Sequence, residues 1–242
     1  MSAELGWGSA VTECDARSIH SPLHRWAYRL GVTDLHLVDH PLIADAIRQL
    51  RDEKTPNADF LRLAGEITRY LAYEAFRSVP VVATTVDTPV MKQAPAVRVE
   101  REYLIVPILR AGLGMSPAVQ AVLPRHRVCL MGLRRNEETL QPDLYLDGLP
   151  DRLDGVSVVI CDPMLATGGS LVAAIDLLKA RGAADITALV LIAAQPGVDF
   201  VHTAHPDVRI AAAALDPILN EVGYITPGLG DAGDRLFGPP AR

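Results

Sequence analysis

The chain has 242 residues, 49% of them hydrophobic and 21% charged, with a formal net charge of −6. This is a globular composition with enough chain for a large core, which excludes a disordered polymer. Acids and bases are mixed along the chain without a basic stripe, which argues against a nucleic-acid backbone as partner.

No apolar run reaches the roughly eighteen residues that a membrane span needs, and the N-terminal stretch with Glu4, Glu13, Asp15 and Arg17 has no signal-peptide core. A cytoplasmic protein with no membrane partner is expected. Cys14, Cys129 and Cys161 are odd in number and far apart, which argues against a disulfide framework or a zinc knuckle. Cys129 and Cys161 sit in strand-like runs and read as small buried hydrophobes.

Residues 1–30 are irregular and read as an extension of unknown role, with residues 31–242 forming one domain. Trp7 and Trp26 in the extension fit an anchor to the core or to a partner equally well. The domain opens with a helix over 41–53, proline in its first turn, and a second over 57–78 with Asn57 suited to an N-cap. His40, before Pro41, reads as a structural histidine at a helix start. Residues 79–102 read as two-stranded or irregular.

From residue 103 the pattern alternates. Strands are expected over 103–110, 126–135, 156–162, 185–194 and 208–215, and helices over 114–123, 169–182 and around 197–205. Continuous aliphatic strands alternating with helices predict an α/β fold with a central, mostly parallel sheet flanked by helices. His202 and His205, on the last helix, read as solvated rather than metal-binding. No G-x-S-x-G elbow supports a serine triad.

Parallel sheets place ligands at the carboxyl ends of their strands. In "VVICDPMLATGGSLVAAIDLL" (158–178) a buried-type strand ends on Asp162, and Thr167-Gly168-Gly169-Ser170 opens a helix. Backbone amides at a glycine turn, together with the positive end of a helix, suit a monoester phosphate. A strand-tip carboxylate suits sugar hydroxyls or a hydrated cation. The two together suit a ribose 5-phosphate. Neither a Walker A lysine nor a G-x-G-x-x-G is present.

"VPILRAGLGM" (106–115) ends a second strand on Arg110, a permanent cation suited to a diphosphate. "LRRNEETLQP" (133–142) leads into a polar segment, 138–150, that fits either a closing flap or a passive surface loop. "NEVGYITPGLGDAGDRLFG" (220–238) shows no regular element, and its glycines with Tyr224, Ile225 and Leu229 point to a loop packed closely on something.

These segments, with "DPMLATGGS" foremost, resemble the type I phosphoribosyltransferases, and the uracil phosphoribosyltransferase family in particular, over about residues 38–238. The resemblance implies that fold, with a base-binding hood built from N-terminal and C-terminal segments. It implies transfer of 5-phosphoribosyl from phosphoribosyl diphosphate (PRPP) to uracil N1, giving UMP and diphosphate.

Carried over by motif, the PRPP contacts are Arg110, Arg135, Asp162, Pro163, Met164, Leu165, Ala166, Thr167, Gly168, Gly169, Ser170 and Asp231. The uracil contacts are Ile225, Gly230, Asp231 and Ala232. Asp162, Asp231, Arg110 and Arg135 carry the catalytic roles.

Mg²⁺ is implied as a passenger of PRPP, without a protein metal site. At least a dimer is implied, and GTP as an effector in some relatives, although the sequence shows no effector site. The chain departs from the family pattern at Ser116-Pro117, Gln195-Pro196-Gly197, Pro217-Ile218 and Thr226. Two alternatives share the resemblance. One is an RNA-binding regulator of pyrimidine genes, disfavoured by the acidic charge. The other is a catalytically silent nucleotide-binding protein.

Overall fold

The structure is a computed structural model that describes residues 35–135 and 142–239. The expected extension 1–30 with its tryptophans, Cys14, the start of the 138–150 segment and the side chain of Arg135 lie outside the described residues.

In chain order the elements are β1 (Leu35–Leu37), α1 (Pro41–Arg51), α2 (Asn57–Ala75), β2 (Val81–Val86), β3 (Ala94–Val99), β4 (Tyr103–Leu109), a 3₁₀ turn (Ala111–Gly114) and α3 (Ser116–Gln120). They continue with β5 (His126–Val128), β6 (Met131–Arg135), β7 (Pro142–Asp147), β8 (Ser157–Cys161), β9 (Met164–Leu165) and α4 (Gly169–Ala180). The last are β10 (Asp185–Ala194), α5 (Gln195–Ala204), β11 (Arg209–Asp216), β12 (Ile218–Leu219), β13 (Ile225–Thr226) and α6 (Ala232–Phe237).

The main sheet has the order β1-β11-β10-β8-β4-β6-β7, with β5 alongside β4 and β9 alongside β10. Its pairings are parallel except β6–β7. The side-chain period of two sends β4 to two cores. Tyr103 and Ile105 join the cluster under α1, α2 and α6, whereas Leu104, Val106 and Ile108 join the one under α4 and α5. Val159 and Cys161 of β8 face the first cluster, Val158 and Ile160 the second. Both faces of the sheet are therefore covered, as the unbroken aliphatic strands required.

Several expected elements take another form. The 126–135 strand divides, because β5 pairs with Tyr103–Ile105 and β6 with Ile108–Leu109 farther along β4. The 114–123 helix shrinks to the five residues of α3, with Pro117 in its first turn, after a 3₁₀ turn that ends at Gly114. Asn57 does not cap α2. Pro56 holds that position, and the Asn57 amide donates to the carbonyls of Arg235 and Leu236 at 2.7 Å.

His40 caps α1, its Nδ1 accepting from the Leu42 amide at 3.1 Å. His202 and His205 are buried rather than solvated. Lys179 Nζ lies 3.2 Å from His205 Nδ1 and Asp176 Oδ1 lies 3.1 Å from Nε2, so the ring ties α5 to α4.

Candidate active site

Strand ends set the site. β4 delivers Arg110 and β8, its neighbour, delivers Asp162, both at the carboxyl edge of the sheet. The 3₁₀ turn after Arg110 lies against β8 so closely that a Cβ at Gly112 would stand 2.1 Å from the Cys161 carbonyl oxygen. Only glycine allows that approach. It sets the arginine loop beside the aspartate.

The 163–168 segment is seated from below. The Pro163 carbonyl accepts from the Leu191 and Ile192 amides at 3.1 Å, and β9 pairs Met164 with Ile192 and Leu165 with Ala193. Gly197 at the start of α5 lies under it, where a Cβ would come 2.2 Å from the Ala166 carbonyl oxygen. Gly168 turns the chain into α4 at φ 86° and caps it without any side-chain hydrogen bond. The first-turn amides of α4 therefore point to the cleft with no intrahelical acceptor, the arrangement that attracts an anion.

These parts line two adjoining cavities that share Asp162, Met164 and Ser170. The smaller, about 90 Å³, is an open hollow lined by Asp162 and the 164–171 turn, including Thr167, Gly168 and Ser170. The larger, about 460 Å³, runs from Asp162 past Arg110 and Arg134 to Asp231 and Gly233. Tyr145 and Leu133, from the β6–β7 pair, form another of its walls.

Asp162 is half-buried on the floor. Burial pushes its carboxyl up to about 7, against a lowering pull from the Met164 amide that donates to it. The Cys161 thiol beside it is also pushed up, by burial first and by the Asp162 charge second. Arg110 Nη2 donates to Asp234 Oδ1 at 2.9 Å, and the Leu109–Arg110 peptide is cis.

The 220–238 segment is more regular than expected. β12 and β13 pair antiparallel, and α6 follows with Asp231 as its N-cap, accepting from the Asp234 amide at 2.9 Å. Ile225 and Leu229 are buried as anticipated, whereas Tyr224 is exposed. Arg235 fastens α6 to α1, donating to the carbonyls of Leu50 and, at 2.6 Å, Asp52, with its guanidinium 4.4 Å from the Phe60 ring centre. The N-terminal helices and the C-terminal segment thus build one hood beside the cleft.

Of the expected PRPP set, Arg110, Asp162, Met164, Leu165, Ala166, Thr167, Gly168, Ser170 and Asp231 line the two cavities. Pro163 and Gly169 belong to the same turn without lining it. Of the expected uracil set, Asp231 lines the larger cleft and Ala232 is buried beside it, while Ile225 and Gly230 lie on the loop leading in. Arg135 ends β6, next to Arg134, whose Nε donates to Asp143 at 3.0 Å. The supporting glycines 112 and 197 and the hood fasteners Asn57 and Arg235 were missed from sequence. Their reasons are contacts between segments far apart in the chain.

A mostly parallel sheet whose neighbouring strand tips hold a carboxylate before an uncapped helix and an arginine loop beside a hood is the arrangement expected of a phosphoribosyltransferase, and this protein is one of that class. Residues 37–239 match the sequence profile described as uracil phosphoribosyltransferase. A uracil phosphoribosyltransferase of Streptomyces coelicolor is 49% identical over 206 residues, covering 84% of this chain and 98% of that protein. One of Corynebacterium efficiens is 48% identical over 206 residues, covering 85% and 97%. Among solved structures, a protein of Aquifex aeolicus superposes with TM-score 0.80 at 35% identity, over 84% of this chain and 98% of that one. The chain belongs to the uracil phosphoribosyltransferase family.

Proposed function

We propose that the protein transfers the 5-phosphoribosyl group of PRPP to N1 of uracil, giving UMP and diphosphate. The observation that carries this reading is the placement of Asp162, Arg110 and Asp231 around one cleft that opens into the turn at the start of α4.

In this reading the small cavity holds the 5-phosphate. The first amides of α4 and the hydroxyls of Thr167 and Ser170 donate to its oxygens. Asp162 accepts from the ribose hydroxyls, which fixes C1 relative to the base. Arg110, with Arg135 from the end of β6, stabilises the negative charge that grows on the diphosphate as the C1–O bond lengthens and the ribose becomes oxocarbenium-like.

Uracil stacks against the loop from Ile225 to Ala232. Main-chain groups near Gly230 and Asp231 read its N–H flanked by two carbonyls, an edge that cytosine and hypoxanthine do not present, and a site built from backbone leaves little room for a purine.

Asp162 and Asp231 line the cleft, and among the described residues no three His, Cys, Asp or Glu converge on a metal-sized point. That donor set fits Mg²⁺ arriving on the diphosphate with substrate and water oxygens as most of its ligands, and with Asp231 facing a bound water. When bound, the ion supplies charge neutralisation to the leaving group. The β6–β7 pair beside the cleft is read as the base of a flap over the donor.

A homo-oligomer, at least a dimer, is supported by β2–β3. These strands pair only with each other among the described residues, and Val81, Val86, Val90 and Val97 are exposed on them and their turn. A lone two-stranded hairpin is marginal in water and needs cover. GTP regulation rests on the resemblance, and a cytoplasmic setting on the few, widely spaced cysteines of the sequence. No helix among the described residues is long and apolar enough to cross a membrane.

The test is a coupled assay of diphosphate release with PRPP and, in turn, uracil, cytosine, orotate, hypoxanthine and xanthine. Release with uracil alone is expected. No release with any base, or release with another base in preference, overturns the reading.

A further inference from the structure

A second strand tip on the same edge of the sheet carries a carboxylate that the reaction does not use. Asp216 ends β11, two strands from Asp162, and its side chain is 5% exposed. Arg51, the last residue of α1, meets it end-on, with Nη2 donating to Oδ1 at 2.7 Å and Nη1 to Oδ2 at 2.8 Å.

The pair does more than join α1 to β11. Asp216 Oδ2 also accepts from the Gly228 amide at 2.9 Å, and Arg51 Nη1 also donates to the Gly228 carbonyl at 2.9 Å. Both main-chain groups of one residue are therefore held by one ion pair. That residue must be glycine, since its φ is 61° and a Cβ would come 2.1 Å from the Ile225 carbonyl oxygen. The next residue is held as well, for Arg235 donates to the Leu229 carbonyl at 3.0 Å.

We infer that Asp216, with Arg51, is a positioning residue for base recognition: the pair sets the height and tilt of the 225–230 loop and so the place of Gly230, Asp231 and Ala232 against the ring. A bidentate arginine–carboxylate pair fixes orientation as well as distance, and removal from water makes its geometry stiff. Neither residue lines the cavities around Asp162 and Arg110, so the donor is left alone. The inference rests on the proposed uracil reaction.

The experiment compares the full-length protein with Asp216→Asn and Arg51→Lys. KM is measured separately for uracil and for PRPP by diphosphate release, and thermal melting is recorded for each protein. Asparagine keeps the shape of the side chain but turns an amide group towards donors. Lysine keeps the charge but loses the fork.

The expected result is a rise in uracil KM of about tenfold or more for Asp216→Asn, with a smaller rise for Arg51→Lys, because a displaced loop misplaces the ring. PRPP KM should stay within about twofold of the parent value, the spread expected where no donor contact is touched. Unchanged uracil KM in both variants overturns the inference. So does a parallel rise in both KM values that tracks a lower melting temperature, which is the mark of a purely structural pair. If Asp216→Asn does not fold, Arg51→Lys decides; if neither folds, the pair serves the whole fold and the inference falls. A parent protein that releases no diphosphate from uracil and PRPP refutes the reaction itself, a result distinct from all of these.

Discussion

Replacing Asp162 by asparagine tests the donor site and the electrostatics of the cleft in one protein. The carboxyl is raised from 3.8 to about 7 by burial, a shift of roughly 3 units, and each unit is worth about 1.4 kcal/mol. The ceiling on the strain of ionising it is therefore about 4 kcal/mol. Its partial exposure to the cleft and relaxation around it reduce the expected figure to about 1–3 kcal/mol.

The direction follows from proton counting. Between the two values the folded protein binds more protons at this position than the unfolded chain, so stability falls as pH rises from about 4 through about 7 and is level above. Asparagine has no charge to bury and removes that slope. At pH 8 the variant should melt about 2–10 °C above the parent, and at pH 4 the gain should vanish. Catalysis should move the other way: kcat/KM for PRPP should drop about 10- to 100-fold through lost charge-assisted bonds to the ribose hydroxyls. Melting curves at pH 4, 6 and 8 and diphosphate release with PRPP varied are the assays. Unchanged PRPP kinetics, or a variant less stable than the parent at pH 8, would refute the reasoning.

Three further outcomes follow from the same geometry. Gly112→Ala should drive the arginine loop off the Cys161 carbonyl and lower kcat/KM for PRPP about tenfold or more, whereas Gly65→Ala, where a Cβ meets nothing within 4 Å, should leave kinetics alone and raise stability by about 0.5–1 kcal/mol. Kinetics with melting curves on both variants check the contrast. Arg110→Lys keeps a charge but not the planar fork, so KM for PRPP should rise while KM for uracil holds, which steady-state kinetics with each substrate varied will show. Val97→Glu on the exposed face of the hairpin should shift the protein towards monomer in sedimentation velocity, because a charge would enter the apolar contact that β2–β3 is proposed to make.

What could be read from the sequence was whatever short-range chemistry dictates. The aliphatic runs gave the strands of the sheet, and Asp162 with Thr167-Gly168-Gly169-Ser170 marked a strand tip and a helix start within nine residues of one another. α6 was legible too, although it was missed. Asp231 with Asp234 three residues on is a cap followed by an acidic first turn, and the glycines on either side of it concealed the signal.

The rest is tertiary in origin. Asn57 stands at a helix start, where its type predicts a cap, yet its amide serves two carbonyls of α6 some 178 residues away. His205 caps the end of a helix whose sequence allows a solvated face, and only the packing of α5 on α4 buries it beside Lys179. Gly112 and Gly197 look like ordinary turn glycines until the opposing carbonyls of Cys161 and Ala166 are in place.

These residues share one property. Each is required by a neighbour that the chain supplies from elsewhere, and together they hold the recognised motifs in register. The residues proposed to meet the substrates are therefore the ones a motif can name. The distances between those motifs are set by glycines and ion pairs that carry no local signature, so a change at Gly112 or Asp216 should impair the site without touching any residue that the motifs assign to substrate contact.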